Sequence, residues 1–252
     1  MDETVVLIQA RLGSRRLPGK VLLPLAGRPV LARVIERCRA AAGVARVVVA
    51  TTEAAEDEAV AVAARDQGAE VFRGAAEDVL GRFAAAAEVF PAGHYVRVTA
   101  DCPLLDSGIL AAVLAAHVAG GYDFSYNEVP HDYPRGYDVE VLTRATLRAL
   151  AADRADATTR EHITPYLLTH PEGLRVYRAP PARPGRDLST LRLVLDEEAD
   201  YELLQEIFAR LGDDAGFGLE EVLRLLEEEP ALAEINRAVV QHEPPPPASP
   251  AQ

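Results

Sequence analysis

Short runs of β-branched residues alternate along this chain with longer, alanine-rich stretches, and this alternation constrains the fold more than any other feature. The predicted strands lie at residues 5–8, 47–49, 70–72 and 95–98, and the predicted helices at residues 30–41, 56–66 and 78–89. Such alternation is typical of a mostly parallel sheet with helices on both faces. Because crossovers between parallel strands are right-handed, few other topologies fit the pattern. The sequence therefore predicts an α/β protein with three layers.

The pattern changes between residues 122 and about 183, where two short runs at residues 123–126 and 138–141 frame a loop rich in His, Pro and Tyr. We predict that this segment is an inserted, substrate-side subdomain that forms the second wall of a cleft. Strand character returns at residues 192–195, and two further helices are predicted at 197–211 and 219–228. The chain is thus expected to form one domain over residues 1–242, followed by a disordered, proline-rich tail at 243–252.

Acidic residues outnumber basic ones, 39 against 26, which gives a formal net charge of −13. A chain of this charge is a poor ligand for nucleic acid, because binding to a phosphate backbone requires a basic face. The two cysteines, Cys38 and Cys102, lack metal-ligand spacing. The sequence shows no signal peptide and no apolar stretch of bilayer length. We therefore expect a reduced, cytoplasmic protein without a nucleic-acid or membrane partner.

The loop after the first predicted strand concentrates positive charge in an otherwise acidic chain. Four cations fall within ten residues, together with a hydroxyl and two glycines: Arg11, Arg15, Arg16, Lys20, Ser14, Gly13 and Gly19. In a parallel α/β sheet such a loop lies at the carboxyl edge, where ligands bind. Arginine and lysine at this position suit a triphosphate, although a solvated basic turn is the simpler alternative. The loop matches neither the phosphate loop of common ATPases nor the dinucleotide fingerprint.

Residues 8–31 resemble the opening signature of the cytidylyltransferases that activate acidic sugars, a group that includes the 3-deoxy-manno-octulosonate and acylneuraminate enzymes. The signature Arg-x-x-Ser-x-Arg-Leu-Pro-Gly-Lys, followed by a Gly-x-Pro turn, is filled by Arg11, Ser14, Arg16, Leu17, Pro18, Gly19, Lys20, Gly27 and Pro29. The chain most resembles the spore-coat polysaccharide synthesis branch, through further stretches at residues 71–82, 97–104, 126–127, 138–140 and 160–166.

This resemblance implies a Rossmann-like nucleotide-diphospho-sugar transferase fold and an enzyme that transfers CMP from CTP to an acidic sugar, releasing pyrophosphate. It also implies Mg²⁺ as cofactor, held by Asp101 and Asp196, which each follow a predicted strand. For Asp196, an N-cap of the next helix is the alternative role. Dimers are common among the resembling enzymes, so a homodimer is an expectation of the resemblance alone.

The resemblance also assigns roles to individual residues. The predicted catalytic residues are Lys20, Arg11, Arg16 and Asp101. The predicted nucleotide contacts are Ala10, Arg11, Leu12, Gly13, Ser14, Lys20, Glu77, Asp78 and Arg82, the last three being equally compatible with an ordinary helix start. The predicted contacts with the acidic sugar are Asn127, His131, Arg135, Asp138, Glu140, Arg160 and His162.

Two other functions remain compatible with the sequence. A glycosyltransferase that uses a nucleotide sugar would share the fold and the metal-binding acids, but it has less need of four cations around a leaving pyrophosphate. A non-catalytic nucleotide-binding protein would tolerate loss of Lys20, Asp101 or Asp196, all of which are present. Neither the base of the nucleotide nor the identity of the acidic sugar is determined by these residues.

Overall fold

The computed structural model describes residues 3–127, 132–152, 160–161, 163–212 and 216–240. Its central sheet has seven strands in the order β5-β4-β1-β6-β8-β7-β9. Their bounds are Thr4–Gln9 (β1), Arg46–Thr52 (β4), Glu70–Gly74 (β5), His94–Thr99 (β6), Phe124–Tyr126 (β7), Glu140–Thr143 (β8) and Val176–Arg178 (β9). A separate two-stranded hairpin is formed by Pro24–Leu25 (β2) and Arg28–Pro29 (β3).

Helices cover both faces of the sheet, as the alternation predicts. The described helices are Val30–Ala40 (α1), Glu58–Asp66 (α2), Val79–Val89 (α3), Ser107–Gly120 (α4), Arg144–Ala152 (α5), Ile163–Thr169 (α6), Glu198–Leu211 (α7), Leu219–Glu228 (α8) and Ala231–Glu234 (α9). Helices α1, α2 and α4 pack on one face and α3, α5 and α6 on the other, while α7, α8 and α9 form a third apolar cluster. No helix of the described residues is both long and apolar enough to span a membrane.

The central strand β1 shows why the sheet is sandwiched. Its side chains alternate between the two faces: Val6 and Ile8 join the cluster under α1, α2 and α4, while Val5 and Leu7 join the cluster under α3, α5 and α6. All four are at most 1% exposed. Helices cover both faces of this parallel strand, so every side chain along it is buried. The strand is therefore a continuous apolar run and does not alternate between apolar and polar residues.

The carboxyl edge of the sheet receives the loops that matter for function. β1 pairs in parallel with β4 on one side and with β6 on the other, so the chain order reverses between β1 and β6. The loops after these two strands, which begin at Ala10 and Ala100, therefore leave the sheet side by side. A crevice at such a reversal is the usual binding place in open α/β sheets.

Two regions differ from the sequence-based expectation. Residues 192–195, predicted as a strand, form only an isolated bridge between Arg192 and Arg135. The reason is that Leu195 donates its backbone N–H to Asp101 and Leu193 to Arg135, so no continuous strand partner exists. In residues 122–183, strands β7, β8 and β9 extend the central sheet itself. The boundaries of the domain and of its insertion remain predictions, and the proline-rich tail lies outside the described residues.

Candidate active site

Lys20 lies at the centre of a polar cluster at the carboxyl edge of the sheet. It begins a 3-10 turn, Lys20–Leu22, directly after Gly19. Its ammonium group donates to Asp101 Oδ2 at 2.6 Å, to Asp196 Oδ1 at 2.6 Å and to the carbonyl of Leu195 at 2.8 Å. Burial alone would lower the pKa of Lys20, but the two carboxylates outweigh it and raise this pKa above its usual value. Lys20 is therefore a charged group held between two acids.

Asp196 contacts three cationic side chains. Lys20 binds its Oδ1, while its Oδ2 lies 2.9 Å from Nη2 of Arg16 and 3.1 Å from Nη2 of Arg192. Burial opposes ionisation, but Lys20 and Arg16 outweigh it and lower the pKa of Asp196 to about 2. The alternative role of Asp196 as a helix cap is wrong, because the N-cap of α7 is Glu197.

A buried hydrogen-bond network of Asp200 and Asn236 fixes the side chain of Arg192 next to Asp196. The side chain of Asp200 is fully buried and accepts from both Nε and Nη2 of Arg192, at 2.9 and 3.0 Å. The same carboxylate accepts the backbone N–H groups of Asp196 and Glu197, each at 2.9 Å. Asn236 donates to Asp200 at 2.9 Å and to the carbonyl of Arg192 at 2.8 Å. Asp200 therefore fixes the guanidinium group of Arg192, which also contacts Asp196.

The loop after β1 is anchored by Asp57, a buried residue that ends the 3-10 turn Ala55–Asp57. The backbone N–H of Leu12 donates to Asp57 Oδ1 at 2.7 Å, and Oδ2 accepts from the hydroxyl of Thr52. Ser14 stabilises the loop internally, since its Oγ accepts the N–H of Leu17 at 3.3 Å. The predicted nucleotide contacts from Ala10 to Ser14 thus lie on a loop with a fixed backbone.

The predicted base-side group lies at the start of α3. Asp78 caps this helix, accepting the N–H of Gly81 at 2.8 Å, and forms an ion pair with Arg160 at 2.5 Å. Arg82 is only 1% exposed, and its Nη1 donates to the carbonyl of Ala75. Burial and the neighbouring charge of Arg11 lower the pKa of Arg82 to about 10. Arg82 is therefore placed to hold the 75–76 backbone, while Glu77 is exposed.

Two of the predicted sugar contacts, Asn127 and Glu140, are buried and bind other residues of the protein. Asn127 is 2% exposed, accepts the N–H of Val139 at 2.7 Å and donates to the carbonyl of Tyr137 at 2.8 Å. Glu140 is 3% exposed and pairs with Arg97 at 2.8 Å. Both side chains thus fix the segment that leads into β8, and a ligand would reach them only if these bonds opened.

Arg135 and Asp138 are partly buried, unlike the fully buried Asn127 and Glu140. The backbone of Arg135 accepts from Leu193 at 2.9 Å and donates to Leu191 at 3.1 Å, which ties this loop to the segment before Asp196. Burial raises the pKa of Asp138 to about 6, with Glu140 acting in the same direction. His131 and His162 lie outside the described residues.

A second ion pair links the predicted sugar side to the basic loop. Glu161 lies 3.3 Å from Nη2 of Arg11, and both side chains are partly exposed. Together with the contact between Arg160 and Asp78, it joins the segment at residues 160–161 to both nucleotide-side elements. Arg11 is the only predicted catalytic residue that pairs with this segment among the residues the structure describes.

The donors around Lys20 fit a divalent cation. Asp101 Oδ2 and Asp196 Oδ1 already converge on one bound cation, the ammonium group of Lys20. Carboxylate oxygens are the ligands that Mg²⁺ takes in proteins, usually one or two of them with waters and substrate phosphates. The described residues contain no group of three or more His, Cys, Asp and Glu side chains arranged for a metal. A pair of carboxylates is the arrangement expected when the substrate supplies the remaining ligands.

The comparison with known proteins decides the family. The model of a protein family described as cytidylyltransferase matches residues 5–239. The chain belongs to the cytidylyltransferase family. This cytidylyltransferase is 31% identical over 246 residues to the spore coat polysaccharide biosynthesis protein SpsF of Bacillus subtilis (strain 168), covering 92% of this chain and 98% of the relative. The predicted resemblance, and with it the prediction of an enzyme, is confirmed.

Two further comparisons agree. A 3-deoxy-manno-octulosonate cytidylyltransferase of Anaeromyxobacter sp. (strain K) is 37% identical over 161 residues, which cover 62% of this chain and 64% of the relative. The solved structure of a cytidylyltransferase from Leptospira borgpetersenii matches with a TM-score of 0.87 and 32% identity, covering 95% of this chain and 99% of the other. The predicted Rossmann-like fold is thus confirmed.

Several residues of the site were missed by sequence reasoning: Asp57, Arg192, Asp200 and Asn236. For Asp200 a signal existed, because an acid three residues after Glu197 is the pattern of a capping box. The bonds of Asp57 to Leu12 and of Asn236 to Asp200 have no local signal, since these partners lie 45 and 36 residues away in sequence.

Proposed function

We propose that this cytidylyltransferase transfers CMP from CTP to a hydroxyl group of an acidic sugar and releases pyrophosphate, with Mg²⁺ as cofactor. The observation that carries the proposal is the ammonium group of Lys20 held at 2.6 Å from both Asp101 and Asp196, beside the arginine-rich loop. Cations and metal-binding acids side by side suit a reaction in which the negative charge of a polyphosphate must be offset.

The basic loop supports the nucleotide part of the proposal. Arg16 and Lys20 both contact Asp196, so their charged groups lie within reach of the same ligand. Forked donors of Arg16 and the point charge of Lys20 would bind the phosphates of CTP, with Arg11 on the side nearer α3. The residues would act by positioning and charge stabilisation, without a covalent intermediate. Asp101 and Asp196 would hold a Mg²⁺ ion, which when bound would offset the negative charge of the phosphates.

The reaction would be an in-line displacement at the α-phosphorus. The hydroxyl oxygen of the sugar forms the new bond to phosphorus, the bond between the α-phosphorus and the bridging oxygen breaks, and pyrophosphate leaves with the electron pair. The hydroxyl proton passes to solvent or to a nearby carboxylate. Asp138, whose pKa is raised to about 6, remains mainly ionised at neutral pH and lies on the sugar side.

The nature of the sugar is supported by both the site and the relatives. Arg135 and Arg160 are partly exposed cations at the predicted sugar side, and a carboxylate is the group that arginine binds with two parallel hydrogen bonds. Relatives named 3-deoxy-manno-octulosonate cytidylyltransferase act, by their names, on an acidic sugar. We therefore propose an ulosonic or nonulosonic acid, for polysaccharide or specialised-metabolite synthesis.

Pyrophosphate release tests the proposal. The purified protein would be supplied with Mg²⁺, each of the four nucleoside triphosphates, and a panel of ulosonic and nonulosonic acids. We expect release that requires CTP and one acidic sugar together, and a CMP-sugar product of matching mass. An Asp101→Asn variant prepared in the same way controls for contaminating enzymes. If no pair of nucleotide and acid releases pyrophosphate above that control, the proposed function is wrong.

A further inference from the structure

We infer that Lys20 occupies the position of the divalent cation until a nucleotide binds, so that metal and nucleotide enter the site together. The inference rests on the proposed function in one respect, namely that Asp101 and Asp196 are the metal ligands. It concerns what these residues do before the reaction, and it follows from which of their oxygens are accessible to a second cation.

Both oxygens of Asp196 are already bound by cations. Oδ1 accepts from Lys20 at 2.6 Å, and Oδ2 lies 2.9 Å from Arg16 and 3.1 Å from Arg192. A metal ion at Asp196 therefore meets a cation at either oxygen, and the departure of one of these cations favours its binding. Asp101 is less restricted, because Lys20 binds its Oδ2 while its Oδ1 faces the thiol of Cys102 at 3.7 Å.

The cation on Oδ2 that cannot leave is Arg192. Asp200 binds its guanidinium through two bonds of 2.9 and 3.0 Å, and Asn236 binds Asp200 and the carbonyl of Arg192. The side chains of Arg192 and Asp200 are 10% and 0% exposed, so moving Arg192 would leave a buried carboxylate without its partner. Oδ2 of Asp196 therefore stays capped, and a metal ion must approach Oδ1.

Oδ1 of Asp196 and Oδ2 of Asp101 are the two oxygens that Lys20 bridges. Asp101 and Asp196 would hold a metal ion through the same oxygens that Lys20 contacts at 2.6 Å. A second cation on this pair of oxygens would be repelled by the ammonium group of Lys20. Lys20 and a divalent cation therefore compete for the two carboxylates.

A nucleotide supplies the new partner that Lys20 needs. Its ammonium group donates to two carboxylates at 2.6 Å, and it cannot move into an apolar position without a new counter-ion. The phosphates of a bound nucleotide, held beside Arg16 on the same loop, provide that counter-ion and free both carboxylates. By linkage, a nucleotide that draws Lys20 away tightens metal binding, and the metal tightens nucleotide binding by the same factor.

The test is a titration with Mn²⁺ in the absence of nucleotide, in which free Mn²⁺ is measured by electron paramagnetic resonance. We expect the Lys20→Met variant to bind Mn²⁺ at least about tenfold more tightly than the wild type, because the competing cation is gone. Arg16→Met is the matched control: it also removes one positive charge from Asp196, but it leaves Lys20 in place, so its affinity should change by less than about threefold.

Three further outcomes decide the matter. The double variant Lys20→Met/Asp101→Asn should lose the gain, which locates the new site at the two carboxylates. Equal Mn²⁺ affinity of Lys20→Met and wild type would overturn the inference. If Lys20→Met does not give a native circular dichroism spectrum, Lys20→Gln replaces it, and the wild type is titrated with and without CTP. A protein-free titration gives the Mn²⁺ that CTP binds by itself, and this amount is subtracted. Identical corrected Mn²⁺ affinities in the two wild-type titrations would equally overturn the inference.

The inference and the proposed function can fail separately. Release of pyrophosphate by the wild type, with no gain of Mn²⁺ affinity in Lys20→Met, would refute only the inference that Lys20 occupies the cation position before a nucleotide binds. A gain of Mn²⁺ affinity without pyrophosphate release from any substrate pair would refute only the proposed reaction.

Discussion

The buried carboxylate of Asp57 determines where the backbone of the basic loop lies. It accepts the N–H of Leu12 at 2.7 Å and the hydroxyl of Thr52, and it contacts no predicted substrate group directly. A carboxylate with two donors from different segments connects the loop after β1 to the end of β4. The loop cations depend on this bond for their position, although Arg11 and Arg16 pair with other acids.

We expect Asp57→Leu to raise the KM for CTP by at least about tenfold, because an unpaired N–H of Leu12 costs about 1–3 kcal/mol and the loop can shift to satisfy it. Asp57→Asn is the matched variant. Its amide oxygen can accept from Leu12 while its amide nitrogen donates to the hydroxyl of Thr52, so KM should stay within about threefold of the wild type. Steady-state kinetics of pyrophosphate release would measure both values. Equal KM values for the two variants would contradict a positioning role of Asp57.

A site residue could be predicted from the sequence when the residues next to it in the chain indicate its role. Lys20 belongs to a continuous motif, and Asp101 and Asp196 each follow an apolar run, so the sequence predicted them as a group and the structure brings them together. Asp57 and Asn236 act on partners 45 and 36 residues away. Such pairs arise only when the chain has folded, and nothing in the residues beside them indicates the bond.

At the scale of elements, the buried strands were predicted well and some helices were not. Strands β1, β4, β5 and β6 lie where the runs of β-branched and apolar residues predict them. For β1 and β4 the reason is that parallel strands covered on both faces are continuous apolar segments. Helix α4 was not assigned, because its sequence from Ser107 to Gly120 is apolar on almost every side and shows no helical periodicity. The strand predicted at 192–195 was wrong because its hydrogen bonds go to two different loops.

The contact between those loops depends on Gly136. This residue has a φ of 102°, and a Cβ atom there would lie 2.5 Å from the carbonyl oxygen of Leu193. No side chain can be accommodated unless the loop of Arg135 separates from the segment that leads to Asp196. Gly136 thus couples the predicted sugar side to the predicted metal-binding side through the backbone.

We expect Gly136→Ala to destabilise the protein by more than the roughly 1–2 kcal/mol that a left-handed conformation alone costs, and to lower kcat/KM for the acidic sugar. Gly173→Ala is the matched control, because Gly173 has a φ of 79° and nothing within 4 Å of its Cβ position. Urea unfolding would give both free energies of unfolding. If the two variants lost the same free energy of unfolding and kept the same kcat/KM, the close approach at Gly136 would contribute to neither stability nor activity.

At the scale of the whole molecule, the proposed function requires a polyanionic substrate to bind to a protein with a net charge of −13. Four of the cations predicted to receive the substrate already have acidic partners: Arg11 with Glu161, Arg16 with Asp196 and Glu197, Lys20 with Asp101 and Asp196, and Arg160 with Asp78. Under the proposed function, nucleotide binding is therefore an exchange, in which phosphates replace carboxylates as partners of these cations. Such an exchange keeps these four cations compensated before and after binding, which suits an acidic protein.

The end of the sheet opposite the site contains a buried histidine that ties stability to pH. His117, fully buried on α4, lies 2.8 Å from the hydroxyl of Ser125 through Nδ1, and its ring packs edge to face with that of His94. Burial, together with the neighbouring His94, lowers the pKa of His117 to about 4 from an ordinary value of 6.5, while Asp123 acts weakly in the opposite direction. The folded protein therefore keeps this ring neutral in a pH range where an exposed histidine is already charged.

The sign of the effect follows from proton binding. Below pH 6.5 the unfolded chain binds a proton on His117, whereas the folded protein binds this proton only near pH 4. Acidification between these two pH values therefore favours unfolding. We expect the urea midpoint of the wild type to fall more steeply between about pH 7 and about pH 4.5 than that of His117→Gln, which retains a hydrogen-bonding group for Ser125 but cannot gain a charge. His170→Gln, at the accessible end of α6, should follow the wild type. Parallel pH profiles of His117→Gln and the wild type would show that the acid response comes from the many surface carboxylates and not from this buried ring.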